Sequence, residues 1–119
     1  MKFSIEKEEL YTIFKLEEEK LDSTLSPELK SELVSLQTQG VENLILNLSQ
    51  TKYADSSGLS ALLRGNSAYR ESGGAFILSE ITPFVDKLLT ISQLNKVLTI
   101  LASDEAAKDL ILANSPEED

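Results

Sequence analysis

Apolar and polar residues alternate from the start of the chain. Phe3 and Ile5 form one run, and Tyr11 and Ile13 or Phe14 and Leu16 a second, with Glu8-Glu9 between them. A period of two places successive side chains on opposite faces of an extended backbone, so this region predicts two neighbouring strands. From Ser26 the period lengthens: Leu29, Leu33 and Leu36, with Val34, fall at helical spacing until Gly40. Ser26 fits the N-cap of that helix and Pro27 its first position. "VENLILNLS" then has the dense apolar run of a buried strand, Leu44 to Leu48. Leu59, Leu62 and Leu63 begin a second helix that runs to Gly73-Gly74, and "AFILSE" reads as another short strand. Thr82-Pro83 opens a third helix carrying Phe84, Val85, Leu88 and Leu89, and "KVLTILA" is the last strand. Ser103 caps a final helix, "DEAAKDLILA", with Leu110 and Ile111 on its apolar side. The order ββαβαβαβα predicts an α/β domain whose mixed β-sheet packs against about four α-helices.

Composition narrows what such a domain does. The chain has 119 residues, 41% of them hydrophobic, enough for a single core, expected to span residues 1–113. The remaining "NSPEED", residues 114–119, reads as a solvated acidic tail. A net charge of −9 leaves no basic patch for phosphates, so direct nucleic-acid binding is not expected. It also disfavours self-association through polar surfaces, and a monomer or weak dimer is expected. With no cysteine and no histidine, thiolate chemistry, the usual zinc sites and imidazole bases are excluded. No cofactor or metal is expected. No apolar run is long enough to span a bilayer, and "MKFSIEKEEL" lacks a signal-peptide core, so membrane insertion is not expected and the cytoplasm is the expected location.

The candidate chemistry lies in Asp55-Ser56-Ser57-Gly58, where the central strand gives way to the second helix. Viewed alone, these residues suit a helix start: Asp and Ser cap the first turn, and Gly eases a tight backbone path. A nucleophilic serine would have only a lysine such as Lys52 as base, and nothing in the spacing positions it. An anion site at the helix N-terminus is opposed by the Asp55 carboxylate. A receiver-type phosphoacceptor aspartate would need an acidic pair after the first strand, which "FSIEKEEL" does not provide.

A wider set of features gives the loop a context. Leu21-Asp22 precedes a Pro-initiated amphipathic helix, a glycine precedes an apolar strand ending in Leu48-Ser49, and Asp55-Ser56-Ser57-Gly58-Leu59 follows. With these features residues 20–63 resemble the anti-sigma factor antagonist family of STAS domains, and "YRESGGAFILSE" and "ILASDEAAKDLI" continue the likeness. The chain departs from the family's usual pattern at Glu18-Glu19-Lys20, where a glycine is usual, and at Asn47, where aspartate is common. It departs again at Ala54, where a bulkier residue is usual, and at Ser92-Gln93-Leu94, where Gly-Leu is usual.

The resemblance implies that Ser57 is a phosphoacceptor. A partner serine kinase that also sequesters a sigma factor would modify it, and a serine phosphatase would reverse the change. The unphosphorylated chain would bind the kinase and free the sigma factor, so this chain would regulate transcription as a binding switch and not as an enzyme. Asp22, Asp55, Ser56, Gly58 and Leu59 are the expected partner-binding residues. Asp55 either orients the acceptor hydroxyl or simply caps the helix; Ser56 is a local hydrogen-bonding group or plain surface; Gly58 leaves room for the partner. Asp22 lies beside the phosphorylation loop in the family, its other reading being a turn residue, and Leu59 offers an apolar contact or, the favoured reading, joins the core. The helix N-terminus favours a phosphate on Ser57 and Asp55 opposes it, so the fold is expected to survive the modification. Two other roles remain open on this fold: a scaffold subunit of a stress-signalling assembly or membrane transporter, and a nucleotide or small-ligand binder using the same loop.

Overall fold

The computed structural model describes residues 1–114. Strands β1 (Phe3–Lys7) and β2 (Thr12–Leu16) pair antiparallel, and β2 continues into a parallel set with β4 (Asn43–Asn47), β6 (Ala75–Ser79) and β7 (Thr99–Leu101). The five-stranded sheet has the order β1-β2-β4-β6-β7. Helices α1 (Ser26–Thr38), α2 (Ser56–Glu71), α3 (Pro83–Ile91) and α4 (Asp104–Asn114) connect or follow the strands. The mixed sheet with four helices agrees with the sequence reading.

The dense apolar strands are explained by burial on both faces. Ile13, Ile45 and Ile77 lie side by side in register and pack with Ala107 and Ile111 of α4. Their neighbours Phe14, Leu16, Leu44, Leu46, Phe76 and Leu78 face the opposite way, into the larger core with Leu29, Leu33 and Leu36 of α1 and Leu62 and Tyr69 of α2. Gly40, at φ +107°, stops α1 in a backbone region that a side chain disfavours.

Four details differ from the sequence reading. Ser26 is not the N-cap of α1: Leu25 takes that place with no side-chain cap, and Ser26 and Pro27 are already inside the helix. The carbonyl of Asp22 receives the amides of Leu25 and Ser26, so the backbone has closed the turn one residue early. The last strand begins at Thr99, because Leu94–Lys96 form a 3-10 turn entered through Gln93 in the left-handed region. Asn114 belongs to α4, whereas the rest of the expected acidic tail, 115–119, lies outside the described residues.

The fourth difference matters most for the site. Two strands of two residues each, β3 (Lys20–Leu21) and β5 (Tyr53–Ala54), form a separate parallel pair. Segments this short carry no readable periodicity. They are made by the pairing itself, extended at either end by the amides of Lys52 and Tyr53 donating to the Glu19 carbonyl and by the Asp55 amide donating to the Leu21 carbonyl. This small sheet brings the chain before α1 alongside the chain before α2.

Candidate functional site

Asp55 sits at the N-cap of α2 with an extended backbone, φ −111° and ψ −172°. Its Oδ1 accepts the amides of Ser57 at 2.9 Å and Gly58 at 3.0 Å, two of the donors that a helix start leaves unpaired. The same oxygen accepts the Ser57 hydroxyl at 2.6 Å. The two roles open to Asp55 in the sequence are therefore filled by a single atom: it caps the helix and fixes the direction of the hydroxyl.

Ser57 is half-buried, and its hydroxyl lies 3.3 Å from that of Ser26. Ser26 is 2% exposed, and its hydroxyl donates to the Asp22 carbonyl at 2.6 Å. The N-termini of α1 and α2 thus converge on the Ser57 oxygen. Sequence reasoning missed Ser26 as a site residue because the two serines are brought together only by the β3–β5 pair, 31 residues apart in the chain.

Asp22 lies beside this loop, as the resemblance implied, and it also shapes a turn: Oδ1 accepts the Thr24 hydroxyl at 2.6 Å and the Thr24 amide at 3.0 Å. Lys20, Asp22, Ser23, Tyr53 and Asp55 line one shallow depression. Both carboxyls are held below the ordinary aspartate range. For Asp55 the main cause is the Ser57 hydroxyl, followed by the Gly58 amide. For Asp22 it is the Thr24 hydroxyl and then its amide, opposed by burial and by the charge of Asp55. The site therefore holds two carboxylates at neutral pH and offers hydroxyl groups, not a base poised near neutrality.

The other expected residues take simpler places. Ser56 is exposed and makes no side-chain hydrogen bond among the described residues, so it is surface and not a local hydrogen-bonding group. Leu59 is half-buried against the main core. Gly58 is buried, and a Cβ there would lie 2.3 Å from the Leu21 carbonyl oxygen. Beside the reason expected from sequence, the space a side chain would need is taken by the protein's own β3. Lys52 forms an exposed ion pair with Glu19 at 3.5 Å. Among the described residues no group of three or more His, Cys, Asp or Glu side chains could hold a metal ion.

Two further features were hidden in the sequence. Phe84, assigned there to an apolar helix, faces outward at 49% exposure and stacks on Tyr53 with ring centroids 5.7 Å apart, so an aromatic pair adjoins the depression beside Ser57. Asn47 and Ser79, at the ends of adjacent strands, both donate to the Asp104 carboxylate, Asn47 at 3.0 and 3.1 Å and Ser79 at 2.5 Å. An aspartate at position 47 would set two carboxylates against each other here. The asparagine supplies the donor instead.

Comparison with known proteins supplies a context for this geometry. The family model described as STAS domain matches residues 2–107. An anti-sigma F factor antagonist from Paenibacillus polymyxa is 30% identical over 66 residues, a match that spans 56% of this chain and 56% of that protein. The structure of the anti-sigma factor antagonist SpoIIAA in its unphosphorylated form superimposes with a TM-score of 0.79 at 22% identity, covering 97% of this chain and 100% of the other. The phosphorylated form of SpoIIAA, a Bacillus cell-fate determinant, gives a TM-score of 0.70 at 22% identity, covering 92% of this chain and 99% of that one. These two likenesses establish a shared fold. No helix among the described residues is long and apolar enough to cross a membrane.

Proposed function

The chain belongs to the STAS domain family, and on that premise we propose that it is an anti-sigma factor antagonist whose partner binding is switched by phosphorylation of Ser57. The observation that carries this reading is the Ser57 hydroxyl, half-buried at a helix N-terminus and aimed by a 2.6 Å bond to Asp55 Oδ1. The likeness of the fold to SpoIIAA, a protein with both an unphosphorylated and a phosphorylated form, supports it. So does the sequence match to an anti-sigma F factor antagonist.

The chemistry belongs to the partner, a serine kinase using a nucleoside triphosphate. A bond forms between Ser57 Oγ and the terminal phosphorus while the bond from that phosphorus to the diphosphate oxygen breaks. The hydroxyl proton leaves along the existing bond to Asp55 Oδ1 and passes to solvent. A transition state with little bond formation asks for orientation more than for a strong base, which suits a carboxylate of depressed pKa.

Phosphorylation brings about −1.5 to −2 charges into a site that already holds Asp22 and Asp55. Buried in an interface without matching cations, that charge costs several kcal/mol, and about 4 kcal/mol is roughly a thousandfold in affinity. The unmodified chain therefore binds the kinase and frees the sigma factor, and the phosphorylated chain lets go until a phosphatase restores the hydroxyl. Asp22, Asp55 and Ser56 form the polar part of the contact, and Leu59, Tyr53 and Phe84 the apolar part, whereas Gly58 acts from inside by letting α2 approach β3.

The test is a capture experiment from the source cell's extract with wild type, Ser57→Ala and Ser57→Asp as baits, followed by mass spectrometry of partners and of each bait. An ATP-binding serine kinase retained by the first two baits and lost by the third, with phosphate on wild-type Ser57, is the expected result. One partner retained equally by all three, with Ser57 unmodified, would replace the switch with a scaffold role.

A further inference from the structure

The hydroxyls around Ser57 make one more contact than their protons can serve. Ser57 has one hydroxyl proton, directed at Asp55 Oδ1 at 2.6 Å, and Ser26 has one, directed at the Asp22 carbonyl at 2.6 Å. Their own separation of 3.3 Å is within hydrogen-bond reach, yet neither has a proton left for it. The Asp22 carbonyl meanwhile accepts three donors: the amide of Leu25 at 3.1 Å, the amide of Ser26 at 2.9 Å and the Ser26 hydroxyl. A carbonyl has two lone pairs, which the two amides fixed by the turn can fill, whereas the Ser26 hydroxyl rotates about its own bond and is the donor free to turn elsewhere.

We infer that Ser26 is a positioning residue held in reserve, whose hydroxyl turns from the Asp22 carbonyl to phosphoserine 57 when Ser57 loses its own proton. This deepens the switch proposed above and rests on that reading for its biological setting. Phosphorylation removes the hydrogen that tied Ser57 to Asp55 and leaves the new dianion facing that carboxylate. The phosphoseryl group is then driven off Asp55, and Ser26, buried and already adjacent, is the neutral donor at the right distance. Because Ser26 also opens α1, its donation links the modification state to the start of a second helix. The loop can therefore accept phosphate without rebuilding the fold.

The test installs phosphoserine at position 57 during synthesis, so that no kinase is needed, and follows the phosphate by phosphorus NMR as pH is varied. A donated hydrogen bond favours the dianion and lowers the second phosphate pKa. Ser26→Ala is expected to raise that pKa by about 0.3 to 1 unit, and Ser26→Thr, which keeps the hydroxyl, to restore it. A titration unchanged or lowered in Ser26→Ala overturns the inference, as does an upward shift that Ser26→Thr fails to reverse. Failure to find any kinase for Ser57 would defeat the switch reading and leave this titration unaffected, so the two failures are distinguishable.

Discussion

The carbonyl oxygen of Leu21 stands 2.3 Å from the place where a Cβ on Gly58 would be, and the Leu21 Cγ stands 2.9 Å from it. The second helix thus begins in direct contact with the short strand that leads to the first. Backbone cannot swing aside as a flexible side chain can, so Gly58→Ala has to push β3 away from β5 or tilt the start of α2. Overpacking of this kind costs about 1 to 3 kcal/mol. Gly58→Ala is expected to be less stable than wild type by that amount in denaturant unfolding, with loss of amide protection at Tyr53 and Asp55, whose amides donate to the Glu19 and Leu21 carbonyls. Unchanged stability and protection would mean that the contact gives way freely.

Asp55 makes the acid limb of the stability curve diagnostic. Its pKa in the folded chain is depressed, chiefly by the Ser57 hydroxyl, while in the unfolded chain an aspartate titrates at about 3.9. The stability contributed by this difference is fully present above the unfolded value and is lost as pH falls through the folded one. Asp55→Asn keeps an acceptor for the helix amides but has no such titration. Thermal midpoints followed from pH 7 downwards by circular dichroism should therefore fall less steeply in Asp55→Asn than in wild type below about pH 4. Parallel curves would contradict the hydrogen-bond account of this residue.

Tyr69 ties α2 to α1, its hydroxyl donating to the Leu33 carbonyl at 2.9 Å from a fully buried position. Tyr69→Phe should cost about 1 kcal/mol near neutral pH, the usual net value of such a bond. Burial raises the tyrosine's pKa, whereas the unfolded chain ionises at about 10. The stability from this residue is thus complete below about pH 10 and declines as pH rises toward the folded value. Urea denaturation at pH 9 and at pH 11 should show a larger alkaline loss in wild type than in Tyr69→Phe.

Phe84 tests the extent of the partner surface. It is 49% exposed and packs only its face against Tyr53, so Phe84→Ala should leave the thermal midpoint within a degree or two. Capture of the kinase by that variant should weaken by about tenfold or more, as for the loss of a well-buried aromatic contact. Equal capture would confine the interface to the polar loop.

The large elements were legible because each had enough length for its period to show. α1 repeats Leu29, Leu33 and Leu36 on one side, and the sheet strands β4 and β6 are built around the apolar runs Leu44–Leu46 and Ala75–Leu78. Asp55-Ser56-Ser57-Gly58 was legible from its residue types as the start of a helix, and as a candidate phosphorylation motif only through the family resemblance. What remained hidden was made by distant pairing. Two-residue strands have no period, and Ser26, legible only as a capping type, owes its place at Ser57 to the β3–β5 contact. Phe84 was placed on its helix, but its exposure was not legible, because apolar character does not reveal which side of a short helix is covered, and here Val85 and Leu89 turn inward. Asn47 gave a faint signal, a polar residue at the end of an apolar run, but its partner Asp104 lies 57 residues away.

The central claim is that one phosphate on Ser57 reverses partner choice without refolding the domain. It is tested most directly by calorimetric titration of the captured kinase with the synthetic chain carrying either serine or phosphoserine at position 57, both checked for the same fold by circular dichroism. The account predicts intact folds and an affinity about a thousandfold weaker for the phosphorylated chain, corresponding to about 4 kcal/mol. Affinities equal within about a factor of three, or loss of the fold on phosphorylation, would contradict it.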